Sequence, residues 1–251
     1  MTAAGALGRR LDPDERFGLR LTLLAVAVLV VAVPFGWLLS QIDGHGALVR
    51  ADASAATALH GWVRRTPGAV AVLKGVTTLG SPVLFYVVVG PAALFVWRRH
   101  HPRLAVFLVA TCLGGGILDT AVKWAVDRHR PVFADPVATA SGGSFPSGHA
   151  MSSVVVYGAL LLVFVPVVAR RWRPAVVAAT VTLLLAIGFS RLALGVHYTT
   201  DVVGGWLLGL AWLAASTAAF RTWRVERGRP PVAAADGLEP EAAADLGRPA
   251  D

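Results

Sequence analysis

Three short segments of this 251-residue chain combine cations, histidines and a carboxylate at spacings that can do chemistry. They are Lys123-Trp-Ala-Val-Asp-Arg-His-Arg130-Pro131, Phe145-Pro146-Ser147-Gly148-His149, and Ser190-Arg191-Leu-Ala-Leu-Gly-Val-His197-Tyr-Thr-Thr-Asp201. Lys123, Arg130 and Arg191 are suited to surround the oxygens of a bound anion. His197 and Asp201 stand four apart, so they share one face if a helix begins near His197. The carboxylate would then accept a hydrogen bond from one ring nitrogen and leave the other free as a nucleophile. Taken singly, each residue also has a plainer reading. His197 and Asp201 serve equally as a helix cap or structural pair, Lys123 as a snorkelling helix-end lysine, Arg130 as a headgroup contact, Ser147 as an N-cap and His149 as a polar residue at a helix start. Ser147 and Gly148 also suit anion binding, because a helix N-terminus offers unpaired N–H groups and a small residue permits close approach.

The elements that must position these residues are membrane helices. The chain is 55% hydrophobic and 15% charged, with a mean hydropathy of +0.63, outside the range of a soluble globular domain. Runs long enough to cross a bilayer, about 17 to 25 residues each, fall at Leu21–Ile42, Gly75–Trp97, Leu104–Val122, Ala150–Ala169, Pro174–Ser190 and Val202–Phe220. Backbone in lipid satisfies its own hydrogen bonds, so the fold class is all-α with six transmembrane helices, and Pro34, Pro91 and Pro166 are tolerated as kinks. The first run is longer than the apolar core of a cleaved export signal, and Asp12, Asp14 and Glu15 dilute its basic flank, so it reads as an uncleaved span. Residues 1–20 form an N-terminal segment, 21–222 the six-helix domain with a long connection at 43–74, and 223–251 a tail expected to be disordered for want of an apolar face.

The formal net charge of +8 resides between the apolar runs, which points to a membrane rather than to nucleic acid. Arg9, Arg10, Arg16 and Arg20, then Arg98, Arg99 and Arg103, then Arg170, Arg171 and Arg173, and finally Arg221, Arg224, Arg227 and Arg229 all map to one side. That side is expected to be cytoplasmic by the positive-inside rule, with both termini on the cytoplasmic side of a plasma membrane. Lys123, Arg128, Arg130 and Arg191 are the exceptions at the outer side, and ionisable groups placed against that bias point to a bound anion. In the 43–74 connection, Leu48, Val49, Leu59, Trp62 and Val63 are available to lie on the membrane surface, while His45 and His60 read as surface residues. Asp119 lies one turn before Lys123 and can pair with it; Arg128 and His129 receive no catalytic role. Asp127 and Asp135 lack companion ligands at metal-binding spacing, so neither a metal nor another cofactor is expected. Cys112, the single cysteine, reads as packing.

With these positions in hand, the chain resembles the type 2 phosphatidic acid phosphatase (PAP2) superfamily. Its pattern is a Lys six residues before Arg-Pro, then Pro-Ser-Gly-His, then Ser-Arg with a His six residues after the Arg and an Asp four beyond it, and every position is matched between Lys123 and Asp201. The resemblance implies a helical core shared with acid phosphatases and vanadium-dependent haloperoxidases. It also implies a metal-independent reaction in which His197 forms a phosphohistidine, Asp201 orients it, His149 protonates the leaving oxygen and then activates water, and Lys123, Arg130, Ser147, Gly148 and Arg191 hold the phosphate. The haloperoxidase relatives are soluble, and six apolar spans argue against that assignment.

The expected substrate is a lipid phosphate or diphosphate presented at the outer membrane face, such as polyprenyl diphosphate, phosphatidic acid, phosphatidylglycerophosphate or diacylglycerol diphosphate. Arg64 and Arg65 would be placed to touch a second phosphate. Two other functions remain compatible with the residues: a phosphotransferase using the same phosphohistidine, and a phospholipid binder or transporter without chemistry, which would leave the His197–Asp201 spacing and His149 without a purpose.

Overall fold

The computed structural model describes residues 33–42, 46–230 and 232–248, and among them every regular element is helical. In chain order these are α1 (Val33–Ile42), α2 (Ala47–Arg65), α3 (Ala69–Thr78), α4 (Pro82–Arg98), α5 (Pro102–Val126), α6 (Gly148–Phe164), α7 (Arg173–Ala193), α8 (Thr199–Glu226) and the single turn α9 (Ala243–Leu246), with short 3-10 turns between some of them. Among the described residues five stretches are long and apolar enough to cross a membrane: Ala69–Arg98, Pro102–Val126, Gly148–Val167, Arg170–Ala193 and Thr199–Val225. The first expected span, Leu21–Ile42, lies outside the described residues except for α1.

The span expected as one helix from Gly75 is two, α3 and α4, broken at Leu79, Gly80 and Ser81. The break has a local cause. Ser81 caps α4 by accepting from the Leu84 N–H at 3.3 Å, and Pro82 occupies the first turn, where its missing N–H costs nothing but where it cannot continue α3. Tyr157 of α6 donates to the Leu79 carbonyl at 2.7 Å and so holds the break against the bundle.

α6 is the central helix, packed against α4, α5, α7 and α8. Its closest partner is α8, and the reason is the pair Gly205 and Gly209. A Cβ on Gly205 would lie 2.7 Å from the Ser147 carbonyl, and one on Gly209 would lie 2.8 Å from the Met151 carbonyl. Small residues at four-residue spacing let two backbones meet where no hydrophobic force draws helices together, as in lipid. Elsewhere the bundle turns large apolar side chains outward: Val83, Tyr86, Val106, Ile117 and Leu185 are all exposed, as a lipid-facing surface requires.

α2 lies against α1, α3, α7 and α8 rather than free on a membrane surface. Its buried stripe is Asp52, Ala56, His60 and Val63, while Trp62 is exposed. The expectation for His60 is therefore corrected. Its ring is buried and stacked on Phe133 with centroids 4.0 Å apart.

The tail also differs from expectation. Leu238, Ala242 and Leu246, each four residues from the next, form an apolar stripe short enough to escape a search for spans, and all three join the core beside Val163 and Phe220. The Leu238 N–H donates to the Leu162 carbonyl at 3.1 Å. Acidic residues then meet the basic helix ends: Arg224 forks onto Glu241, Arg229 reaches Glu239 and Glu241 at 3.1 Å each, and Arg173 reaches Asp236 at 3.0 Å. Arg224 and Glu239 are buried, where an ion must be paired to be tolerated.

Two substitutions separate these contributions. Leu238→Ala removes a fully buried side chain and is expected to cost about 2–5 kcal/mol, read as a lower unfolding midpoint in detergent. Gly209→Ala should cost about 1–3 kcal/mol through the forced separation of α6 and α8, whereas Gly116→Ala, whose Cβ meets nothing within 4 Å, should be neutral or stabilising in the same measurement.

Candidate active site

The three chemistry-bearing segments converge at one end of the bundle, opposite the end that carries Arg98, Arg99, Arg170 and Arg171. α5 delivers Lys123 in its last turn, α6 begins with Gly148 and His149, α7 ends with Arg191, and the turn into α8 carries His197. That turn closes through Gly195, whose φ of +70° suits a residue without Cβ, and through the Val196 N–H donating to the Arg191 carbonyl. The Ser147 N–H donates to the Asp201 carbonyl at 2.9 Å, joining the starts of α6 and α8 directly.

His197 is 2% exposed, and its partners determine its tautomer. Arg130 Nη1 lies 3.0 Å from His197 Nε2, and a guanidinium can only donate, so Nε2 carries the lone pair. Nδ1 therefore carries the proton and donates to the Ser144 carbonyl at 2.8 Å. The expected orienting carboxylate is farther away: Asp201 Oδ2 is 3.5 Å from Nδ1 and spends its short bond capping α8 through the Tyr198 N–H at 2.8 Å. Asp201 thus borders the ring, while Ser144 makes the shorter contact. Burial drives the His197 imidazolium down to about 4; Asp201 opposes the shift, and Arg130 and Arg191 add to it.

The cations are held in different ways. Arg130 is caged by carbonyls, its Nε on Gly142, Nη2 on Ser141 and Gly143 at 3.0 Å each, and Nη1 on Val196 at 2.8 Å. Arg191 is buried and donates through Nη1 to Thr77 Oγ1 of α3 at 2.9 Å, while its Nε is buried without a partner. Lys123 pairs with Asp119 one turn earlier, as its spacing suggests. A Cβ on Gly148 would lie 2.9 Å from both Lys123 Nζ and Asp119 Oδ2, so any other residue there must displace these two side-chain ends. Ser147 sits at the N-cap of α6 without capping it, its buried Oγ also lacking a partner. His149 lies within electrostatic range of Arg191, His197, Lys123 and Arg130, and it packs beside Gly80 at the α3–α4 break.

Sequence reasoning missed several residues of this neighbourhood. Arg128 is buried and bonded to Asp201, Thr200 and Asp52, and its charge on the side poor in cations was the signal available. Asp52 is 3% exposed; the stripe it forms with Ala56, His60 and Val63 marks it as inward-facing. Thr77 and Ser144 left no trace, since one lies in a span and the other acts through its backbone. Arg64, expected near a second phosphate, pairs at 3.1 Å with Asp135, both side chains exposed. Among the described residues no three His, Cys, Asp or Glu side chains gather as a metal site.

Comparison with known proteins follows this geometry. Residues 103–225 match the sequence pattern described as the PAP2 superfamily. Phosphatidylglycerophosphatase B of Bacillus subtilis (strain 168) is 35% identical over 151 residues, covering 58% of this chain and 72% of that protein. A lipid A 1-phosphatase of Rhizobium johnstonii is 31% identical over 124 residues, 46% of this chain and 47% of the relative, so the chain spans about half the length of that protein. The crystal structure of a transmembrane PAP2 type phosphatidylglycerolphosphate phosphatase from Bacillus subtilis superimposes with a TM-score of 0.65 at 26% identity, over 77% of this chain and 96% of that one. On sequence and fold together, the chain is a multi-pass membrane protein that belongs to the PAP2 superfamily.

Proposed function

We propose that this protein is a phosphoric ester hydrolase that removes phosphate from a lipid phosphate or diphosphate through a phosphohistidine on His197, without a metal. The observation that carries the reading is the fixed tautomer of His197, whose proton is on Nδ1 against Ser144 and whose Nε2 lone pair faces Arg130. A lone pair aimed among cations suits attack on phosphorus.

In this reading the phosphoryl oxygens are held by Lys123, Arg130 and Arg191 together with Ser147 Oγ and the N–H groups that open α6 at Gly148. The unpartnered Ser147 Oγ and Arg191 Nε are the donors left over for that purpose. Arg130 Nη1 transfers its bond from Nε2 to a phosphoryl oxygen, Nε2 attacks phosphorus, and the bond to the leaving oxygen breaks as His149 gives that oxygen its proton. The positive charge that develops on the ring is balanced by Asp201 at 3.5 Å and by the Ser144 carbonyl. His149 then takes a proton from water, the oxygen attacks phosphorus, the P–N bond breaks, and phosphate leaves. The donor set favours a metal-free route: cations line the site, and its two nearest carboxylates, Asp119 and Asp201, already pair with Lys123 and Arg128.

The arginine-rich opposite end supports a cytoplasmic placement for that side, which puts the site at the outer face where a lipid headgroup meets the ends of the helices. The relatives named as phosphatidylglycerophosphatase B and lipid A 1-phosphatase support a lipid phosphate as the substrate class.

The test is phosphate release in detergent with a chelator present, from phosphatidic acid, phosphatidylglycerophosphate, diacylglycerol diphosphate and polyprenyl diphosphate. Chelator-resistant release from at least one is expected, lost by at least about a thousandfold in His197→Ala; a requirement for divalent metal, or activity surviving that substitution, overturns the proposal. Because the His197 imidazolium lies at about 4, lowering pH from 7 to 5.5 leaves the nucleophile neutral, and the fraction of neutral His197, read from its 15N ring shifts in detergent, should hold. A histidine of ordinary acidity would lose about tenfold over that interval. Gly148→Ala should leave a folded protein, since the Cβ meets the movable end of Lys123, yet lower kcat by about 10- to 100-fold by displacing that ammonium.

A further inference from the structure

Behind the nucleophile lies a buried network of which the reaction described above uses only Asp201. Arg128 forks: Nη1 donates to Thr200 Oγ1 at 2.7 Å and to Asp201 Oδ1, and Nη2 donates to Asp52 Oδ2 at 3.0 Å. Thr200 completes the circuit, its hydroxyl donating to Asp52 Oδ2 and its N–H to Asp52 Oδ1 at 3.2 Å. The guanidinium also lies over the Tyr198 ring, 4.3 Å from its centroid. Three elements distant in sequence meet here: α2 through Asp52, the segment after α5 through Arg128, and the start of α8 through Thr200 and Asp201. All of these side chains are at least nine-tenths buried except that of Tyr198.

We propose that Asp52 and Arg128 are positioning residues for the nucleophile, acting on His197 through Asp201. The inference rests on His197 being the reactive group, as argued above. Asp201 has two oxygens: Oδ2 faces the Tyr198 N–H and His197 Nδ1, and Oδ1 belongs to Arg128. Arg128 thereby fixes the rotation of the carboxylate beside the imidazole and takes a share of its charge. Asp52 in turn draws Arg128 the other way and decides how large that share is. If the network served only to join three elements, uncharged packing would do so at lower desolvation cost. Placing Asp52, Arg128 and Asp201 in one buried chain that ends at the reactive ring makes sense when the charge is needed there.

α2 also reaches the nucleophile's turn at a second point. His60 stacks on Phe133, and both lie against Gly195, two residues before His197. The position of α2 is therefore coupled to the reactive ring from two directions.

The charged and titratable groups facing His197, directly or through the contacts given, are Arg128 and Arg130 from the segment after α5, Arg191 from α7, His149 from α6, Lys123 with Asp119 from α5, Asp201 from α8, and Asp52 and His60 from α2. Of these, only Asp52 and Arg128 change the charge on Asp201 without touching phosphate, and they carry opposite signs. Asp52→Asn leaves Arg128 wholly on Asp201, so the acid limb of kcat/KM should move to lower pH. Arg128→Gln returns the full carboxylate charge to His197, so the limb should move to higher pH, each by about half to one unit. The double variant Asp52→Asn with Arg128→Gln should bring the limb back near the parent's. Arg128→Lys keeps the charge but loses the fork, so it should hold the limb near the parent's while kcat falls about tenfold, with KM within about twofold throughout.

A merely structural network predicts limbs that coincide in all variants while only the yield of folded protein changes, and that outcome overturns the proposal, as do shifts of the same sign. If Arg128→Gln does not fold, the Asp52→Asn and Arg128→Lys arms still decide, because they predict different limb positions. The midpoint of His197 read directly by 15N NMR of histidine-labelled protein in detergent, assigned by its loss in His197→Gln, must follow the same order. That reading needs no turnover. A parent that releases no phosphate therefore ends the phosphatase proposal, while the order of midpoints separately upholds or ends this one.

Discussion

The close approach of α6 and α8 is the constraint on which the rest of the structure depends. Gly205 and Gly209 leave no side chain between the helices, and the backbones come near enough for the Ser147 N–H to bond the Asp201 carbonyl. In lipid, where apolar surface gains little by burial against protein, such contact geometry replaces the hydrophobic force that holds a soluble core. It also sets the scale of the site, since His149 lies at the start of one helix while His197 and Asp201 lie at the entrance of the other. A bundle spaced by ordinary side chains would hold these groups apart.

The second determinant is electrostatic. Several charges lie at the end of a low-dielectric bundle, where an unpaired ion is expensive. Each of the three carboxylates has a cation beside it, Asp119 in Lys123 and both Asp52 and Asp201 in the shared Arg128. Four cations face three carboxylates, so the balance is positive, and Arg130 and Arg191 have no carboxylate partner of their own, with donors unfilled at Arg191 Nε and Ser147 Oγ. Arg130 is held by backbone carbonyls, which orient a cation without neutralising it. A site constructed in this way has a standing need for an anion, and the neutral imidazole at its floor is one group that need does not penalise.

How far this could be read beforehand follows from which physical signals survive in sequence. Span length and the arginine bias are summed over many residues, so α5 to α8 were legible apart from their ends. The His197–Asp201 spacing was legible as proximity but not as contact, because the shorter partner of Nδ1 is the Ser144 carbonyl, a group that every residue possesses. Asp52 was missed since a lone acid in a mixed helix is ordinarily solvated, and only the stripe it shares with His60 says otherwise. The tail misled for a related reason: Leu238, Ala242 and Leu246 are too few to register as an apolar face, yet each inserts fully because the bundle end supplies the remainder of the core. The break between α3 and α4 was written in Ser81-Pro82, but within a stretch apolar enough to span continuously, composition outweighed that local stop.

The placement of α2 links these points. A helix that merely rested on the membrane would turn apolar side chains to lipid and need no buried ion. α2 instead directs Asp52 and His60 inward, toward Thr200 and Phe133, and leaves Trp62 outward, so its exposed apolar side chain and its buried polar contacts lie on different faces of one helix. In the proposed reading the three motifs hold only the phosphate, so discrimination among lipids has to enter through elements outside them, and α2 and α3 are two such elements bonded to the site, through Asp52 and Thr77.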